Sequence, residues 1–259
     1  MKNRTDKHHD FHEQVVVITG ASSGMGRSAA LAFAEQGARL VLGARREIEG
    51  EALAKEIREG GGEAVFIRCD VRVEADIAAL VDTALTRHGR LDVAFNNAGM
   101  EGQGAVLAEQ PNENYEAVMN TNVRGVFWSM KHELSAMLRT GGGAIVNNAS
   151  MGSEIGFPGL SPYIASKHAV MGLTRSAALE YGARGIRVNA VNPGLIDTAM
   201  QSRVWGGDET ARDRFAAESP AGRLGTADEV TEAVLFLASR RASFINGTGL
   251  LVDGGFVAR

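Results

Sequence analysis

Ser150, Tyr163 and Lys167 have side chains of the kinds that move protons or hold a reacting oxygen. Tyr163 and Lys167 form a Tyr-x-x-x-Lys pair with Pro162 directly before it. Proline is tolerated in the first turn of a helix, so a helix beginning near Pro162 is expected, with the pair one turn apart. Side chains at i and i+4 leave a helix from the same face, which puts a phenol beside an ammonium. That arrangement suits proton donation to a carbonyl oxygen. The pair by itself is weak evidence, because the same spacing arises by chance on helix surfaces. Its weight depends on the elements that position it.

The first such element is a nucleotide-type turn. Gln14 to Thr19 is a short, β-branched apolar run that reads as a buried strand. It leads into Gly20, Ala21, Ser22, Ser23, Gly24, Met25 and Gly26, followed by good helix formers with an apolar face from Arg27 to Gln36. A strand, a glycine-rich turn and a helix present unpaired N–H groups and a positive dipole end, where a pyrophosphate can sit. The spacing is G-x-x-x-G-x-G, not the commoner G-x-G-x-x-G. On these residues alone, a tight strand-to-helix turn without a ligand stays open.

Strand-like and helix-like segments then alternate. Strands are expected at 15–19, 39–43, 64–69, 91–96, 143–149, 186–191 and 249–252, with helices between the first six and another at 227–239. This order indicates an α/β fold, a doubly wound parallel sheet of about seven strands covered on both faces. Ligands of such sheets bind beyond the carboxyl ends of the strands, where strand order reverses. The glycine turn, Asp70, Asn96 to Gly99, Ser150, and Pro193 with Gly194 all follow strands at that end. Residues far apart in sequence are thus expected in one crevice. Residues 14–259 read as a single domain after a polar, flexible tail at 1–13, with no repeat or linker. His8, His9 and His12 in that tail have no cysteine or structured partner to complete a metal site, and none is expected.

At 259 residues, 44% hydrophobic and 22% charged, the chain is an ordinary globule with room for an ample core. Its net charge of −4, without a basic stripe, argues against nucleic acid as a partner. No apolar run approaches membrane-spanning length and no signal peptide is visible. Cys69 is the single cysteine, which fits a reducing cytoplasm, and its place at a strand end suggests a buried, inert thiol.

Thr19-Gly20-x-x-x-Gly24-x-Gly26, Asn96-Asn97-Ala98-Gly99, Asn122-x-x-Gly125, Ser150, Tyr163-x-x-x-Lys167 and Asn192-Pro193-Gly194 together resemble the short-chain dehydrogenase/reductase family. The resemblance runs from about Gln14 to Gly255 and includes the tail Leu251 to Gly255 and the segment Pro220 to Gly225. It implies a Rossmann-like, NAD(P)-dependent oxidoreductase with Asn122, Ser150, Tyr163 and Lys167 as a catalytic tetrad. Gly20, Ser22, Ser23, Gly24, Met25 and Gly26 would cradle the cofactor phosphates. Asp70 and Val71 would line the adenine pocket, and Asn97, Ala98 and Gly99 the adenosine wall. Pro193, Gly194, Ile196 and Thr198 would cover the nicotinamide, and Tyr163 and Lys167 would hold its ribose. The helices at 122–138 and 163–181 would build a homotetramer.

Within that reading the cofactor carries hydride to or from a carbonyl carbon, and Tyr163 protonates the alkoxide or deprotonates the alcohol. A free phenol has a pKa of about 10, so neutral-pH work asks for a downward shift of roughly 2–3 units, or about 3–4 kcal/mol. One cation at about 4 Å in an effective dielectric near 20 supplies about 4 kcal/mol, so Lys167 alone is expected to tune Tyr163. Ser150 would polarise the substrate oxygen. Asn122 would hold a water linking Lys167 to solvent. Ser153 and Ser161 are weaker candidates than Ser150, and Asn147 and Asn148 read as structural.

Cofactor choice rests on the end of the second strand. Ala44 stands at the usual acidic position that selects NAD, and Arg45 follows it. A guanidinium there suits a 2′-phosphate, with Ser22 and Ser23 nearby, which favours NADP(H) over NAD(H). Stacking of Arg45 on adenine, or solvation, is the alternative. The segment 197–222, with Met200, Trp205, Gly206, Gly207 and Phe215, is expected to form a substrate lid. Met100, Met151, Ile155, Phe157 and Trp205 would give a largely apolar pocket with Glu101 and Glu154 near its rim. This points to a neutral small-molecule ketone or secondary alcohol. A β-ketoacyl-carrier-protein reductase is the second enzyme reading, but it needs basic residues at the mouth, where Lys131 and Arg139 are present and Ser135 interrupts them. A cofactor-binding regulator on the same fold is the non-enzymatic reading, and loss of the tyrosine or lysine would be its sign.

Overall fold

Every residue of β1 (Val15–Thr19) is buried, as a run of five apolar or β-branched residues in a two-sided sheet requires. Its side chains alternate, Val16 and Ile18 into one core layer and Val15 and Val17 into the other. The computed structural model describes residues 10–204, 206 and 208–259. Among them β2 (Arg39–Ala44), β3 (Glu63–Arg68), β4 (Val93–Asn96), β5 (Gly143–Asn148), β6 (Ile186–Pro193) and β7 (Gly249–Val252) complete one parallel sheet in the order β3-β2-β1-β4-β5-β6-β7. The order reverses between β1 and β4, where Thr19 pairs with Asn96.

Helices cover both faces. α1 (Gly24–Glu35), α2 (Glu47–Glu59) and α9 (Ala227–Ala238) bury Phe33, Leu53 and Val234 in one layer. α3 (Glu74–His88), α5 (Gly125–Thr140) and α6 (Ser161–Tyr181) bury Leu80, Met137 and Val170 in the other. α4 (Asn112–Met119) leads through a π-helical turn at Asn120–Arg124 into α5. The segment 197–222 carries α7 (Ala199–Val204) and α8 (Glu209–Glu218). α9 starts with a capping box, in which Thr226 Oγ1 accepts from Glu229 N–H and the Glu229 carboxylate accepts from Thr226 N–H.

Three expectations are revised. β4 begins at Val93, not Leu91, because the Asp92 carboxylate takes the Val15 N–H at 2.9 Å just before the strand starts. β6 runs on to Pro193, which pairs with Val252. Packed structure also reaches into the supposed tail: Phe11 is fully buried, edge-on to Phe33 at 4.8 Å. His8, His9, Trp205 and Gly207 lie outside the described residues. No helix among the described residues is long and apolar enough to cross a membrane, and none of their acidic, histidine or cysteine side chains cluster as metal ligands.

Candidate active site

The glycine turn is shaped by backbone demands that no side chain meets. Gly20 and Gly24 have φ of 66° and 52°, in the left-handed region. A Cβ on Gly26 would lie 2.4 Å from the Gly20 carbonyl oxygen, so only glycine lets α1 approach the turn. Ser23 is the N-cap of α1, yet its side chain does not cap. Instead Ser22 Oγ accepts from Arg46 Nη2 and Nε at 3.0 and 3.2 Å, and Ser23 Oγ from Arg46 Nη2 at 2.5 Å. Arg46 is therefore the guanidinium at the turn, not Arg45, which is exposed and lies near enough to Asp70 to lower its carboxyl. Ala44 is the last residue of β2, as expected of the position that lacks an acid.

The remaining cofactor candidates gather along the strand ends. The Asp70 carboxylate is clamped by Arg72 through its backbone and side chain, which holds its pKa below the ordinary range. Val71 is buried, with Gly125 of α5 directly against it. Asn97 is a brace for the turn: its Nδ2 donates to the Thr19 and Gly20 carbonyls at 3.2 and 3.1 Å. Ala98 N–H donates to Thr19 Oγ1 at 3.2 Å, and Gly20 approaches so closely that a Cβ there would meet Ala98 Cα at 2.8 Å. A Cβ on Gly24 would sit 3.7 Å from Thr198 Cγ2, which brings Thr198 against the turn. Ile196 is buried and bridges to Gly225, while Gly194, after Pro193, leaves no room for a side chain beside Asp253. Met25, in the first turn of α1, packs partly buried on the core.

The candidate proton-handling residues meet in the same crevice. Pro162 occupies the first turn of α6, and Tyr163 and Lys167 follow on one face. Ser150 ends the segment after β5; its hydroxyl accepts from Gly152 N–H at 3.0 Å and lies near enough to Tyr163 to lower its phenol. Lys167 is buried, donates Nζ to the Asn148 carbonyl at 2.8 Å and stands 5.5 Å from the centre of the Tyr163 ring. Burial pushes the Tyr163 phenol above its usual value, Ser150 pulls it back, and the Glu101 carboxylate adds to the rise. Burial also lowers Lys167 to about 8. In the chain alone burial thus outweighs the fall expected from the Lys167 charge beside the ring. The phenol stays protonated at neutral pH, which is the state a proton donor to an alkoxide needs.

Asn122 lies buried inside the π turn, a widened turn of a kind common at functional sites. Its Oδ1 accepts from Met100 N–H at 2.8 Å, and its Nδ2 donates to Met100 O at 2.8 Å and Ser166 Oγ at 3.0 Å. Both amide hydrogens are engaged, so the side chain holds the Met100 loop. Asn114 binds both backbone groups of Gln103, and Gln110 reaches Ala105 O and Gly159 O. Three side-chain amides thereby strap the loop that presents Glu101. Sequence reasoning missed this strap, whose only trace is an unusual density of Asn and Gln between 103 and 122.

Glu133 was also missed. It is buried in α5, accepts from Asn96 Nδ2 at 2.9 Å, and burial pushes its carboxyl up to about 8. Asn96 also donates to Asn147 Oδ1, and Asn147 to Thr174 Oγ1, which ties β4, β5, α5 and α6 beneath the site. Ser153 donates to the Ser150 carbonyl, a structural contact, and Ser161 Oγ finds no partner among the described residues. Cys69 is buried and its thiol is pushed up to about 12, so it is inert.

Met151, Ile155 and Phe157 join Phe215 of α8 and Phe256 in an apolar cluster. Ile155, Phe157, Phe215 and Phe256 line a cavity of about 470 Å³. Met100 sits apart on the strapped loop, where its sulfur accepts from Thr121. Glu154 is exposed and accepts from Asn192. The crevice fits a dinucleotide: it has a turn that only glycine can form, hydroxyls facing a guanidinium, and a buried amide oxygen on Asn148 without a donor among the described residues.

Comparison with known proteins agrees. A protein-family model described as "Enoyl-(Acyl carrier protein) reductase" matches residues 20–257. The cis-4-hydroxycyclohexanecarboxylate dehydrogenase of Sinomonas cyclohexanicum is 43% identical over 96% of this chain and 98% of its own. The cyclohexanol dehydrogenase of Acinetobacter sp. (strain SE19) is 39% identical over 96% of this chain and 97% of its own. A solved single-residue variant of actinorhodin polyketide ketoreductase with NADPH superposes with a TM-score of 0.90 at 40% identity, covering 95% and 98% of the two chains.

Proposed function

The chain belongs to the short-chain dehydrogenase/reductase family and is an NAD(P)-dependent oxidoreductase acting on alcohols and ketones, and from that premise we propose which residues do the work and on what. Tyr163 is the general acid/base, Ser150 orients the substrate oxygen, and Lys167 braces the crevice floor through Asn148. When bound, the nicotinamide cofactor supplies or accepts the hydride. Tyr163 Oη gives its proton to the carbonyl oxygen in reduction and takes it back in oxidation. The observation that carries this assignment is the meeting of Ser150, Tyr163 and buried Lys167 beside the glycine turn. Tyr163→Phe is expected to lower turnover at least about a hundredfold while dinucleotide affinity stays near wild type. Unchanged turnover would sink the assignment.

NADP(H) is the preferred cofactor in this reading. Its support is the absence of an acid at Ala44 and the Arg46 guanidinium held over Ser22 and Ser23. The substrate is a ring-sized neutral ketone or secondary alcohol, which suits the apolar cluster and the cyclohexane-based names of two relatives. Carrier-protein docking is disfavoured, since Lys131 is paired with Glu74 at 2.7 Å. The lid comprises residues 197–222. A homotetramer suits the exposed Phe127 and Leu138 of α5 and Leu179 of α6. A lone cysteine suits the cytoplasm.

A further inference from the structure

A chain of hydrogen bonds that starts under the glycine turn fixes the orientation of Asn148. Asn97 Nδ2 donates to the carbonyls of Thr19 and Gly20, which can only accept. The Asn97 Oδ1 atom is therefore an acceptor, and Asn148 must present its Nδ2 to it, at 3.0 Å. That leaves Asn148 Oδ1 turned away from Asn97. It is buried and has no hydrogen-bond partner among the described residues. Buried amide oxygens are rarely left so, because the lost hydration is not recovered.

Its surroundings say what the missing donor is. The main-chain carbonyl of Asn148 holds Lys167 Nζ at 2.8 Å, and Ser150 follows two residues later. The residue thus stands between the phosphate-binding turn, reached through Asn97, and the proton-handling end of the crevice. The neighbouring Asn147 points into the opposite layer and is satisfied there by Thr174. Asn96 and Asn192 also keep an unpartnered Oδ1, but Asn96 is engaged with Glu133 and Asn192 lies against Gly249. Neither side chain is braced by the glycine turn, and neither residue holds Lys167.

We propose that Asn148 is a cofactor-binding residue whose Oδ1 accepts a hydrogen bond from the nicotinamide–ribose half of the dinucleotide, from a hydroxyl or the carboxamide N–H. The proposal rests on the oxidoreductase reading but not on the choice between NADP and NAD, which share that half. The Asn97–Asn148 ladder then links the two ends of the cofactor through the protein: one amide supports the turn, and the next meets the reacting half.

Asn148→Thr and Asn148→Val give side chains of the same shape that differ in one acceptor hydroxyl, and both suit a strand. Dissociation constants for NADPH and NADH are measured without substrate, alongside ADP or its 2′-phosphate, which lack the nicotinamide riboside. The Val variant is expected to bind the tighter dinucleotide about tenfold more weakly than wild type, and the Thr variant within about threefold. The adenine fragment is expected to bind all three proteins alike. Equal affinities of the Thr and Val variants, or a parallel loss for the fragment, would overturn the proposal. Should either variant fail to fold, a crystal structure of the wild-type complex decides: a cofactor donor within about 3.2 Å of Oδ1 supports it. A water in that place, or no donor, refutes it. Failure of the wild-type chain to bind either dinucleotide would remove the oxidoreductase reading and this proposal with it.

Discussion

Arg46 and Arg45 are consecutive, exposed and chemically identical, yet the end of β2 sends them to different places. Arg46 reaches Ser22 and Ser23, where a 2′-phosphate would find a guanidinium already oriented by two hydroxyls. Arg46→Ala is therefore expected to weaken NADPH binding about ten- to a hundredfold and NADH binding little, with Arg45→Ala the milder change. Titrating both cofactors against both variants checks this, and equal losses for NADPH and NADH would refute the role. The sequence shows that a basic residue follows the strand, but not which of two. That depends on side-chain direction at a strand end, which spacing does not encode. The same limit applies at Tyr163. Its helix and its lysine were legible from Pro162 and the i, i+4 rule, and its serine from the family resemblance, whereas the balance of burial, Ser150 and Glu101 on the phenol came only with packing.

Elements were most legible where the pattern is continuous. The apolar runs of β1, β2 and β5 marked their strands closely, and α9 began where Thr226 and Glu229 form a capping box. The π turn at Asn120–Arg124 was not legible, since its residues repeat the helical pattern on either side. Glu133 was hidden for another reason: an acid on an amphipathic helix reads as solvent-facing, and its burial depends on Asn96, 37 residues away. Its folded pKa of about 8 lies above the unfolded value of about 4.3. The folded state therefore holds the proton more tightly. The stability this contributes is full below about pH 4 and is lost as pH rises toward 8, at up to about 1.4 kcal/mol per pH unit. Glu133→Gln cannot titrate, so its stability relative to wild type should climb between pH 5 and 8. Urea unfolding across that range measures the difference, and parallel curves for the two proteins would exclude the effect.

For the whole molecule, alternation of strand and helix was enough to anticipate the parallel sheet, though not the burial of Phe11 beneath α1. The proposed homotetramer accounts for large apolar side chains that one chain leaves in water, among them Phe127, Leu138 and Leu179. Light scattering is expected to give four times the 27.4 kDa chain mass. Leu179→Glu with Phe127→Glu should lower it, and a single-chain mass for the wild type would rule the assembly out.

The reversal of strand order between β1 and β4 has a consequence beyond chemistry. Asn97 joins the β1 turn to a segment 77 residues later in sequence, and Asn148 extends that join to β5. The crevice is thus a seam between the β3-β2-β1 half and the β4-to-β7 half of the sheet. A molecule lodged there sutures both halves, and at a hundred times its dissociation constant it adds about 2.7 kcal/mol to folding. Supply of the redox carrier would then govern how long each copy of the chain survives, as well as how fast it turns over.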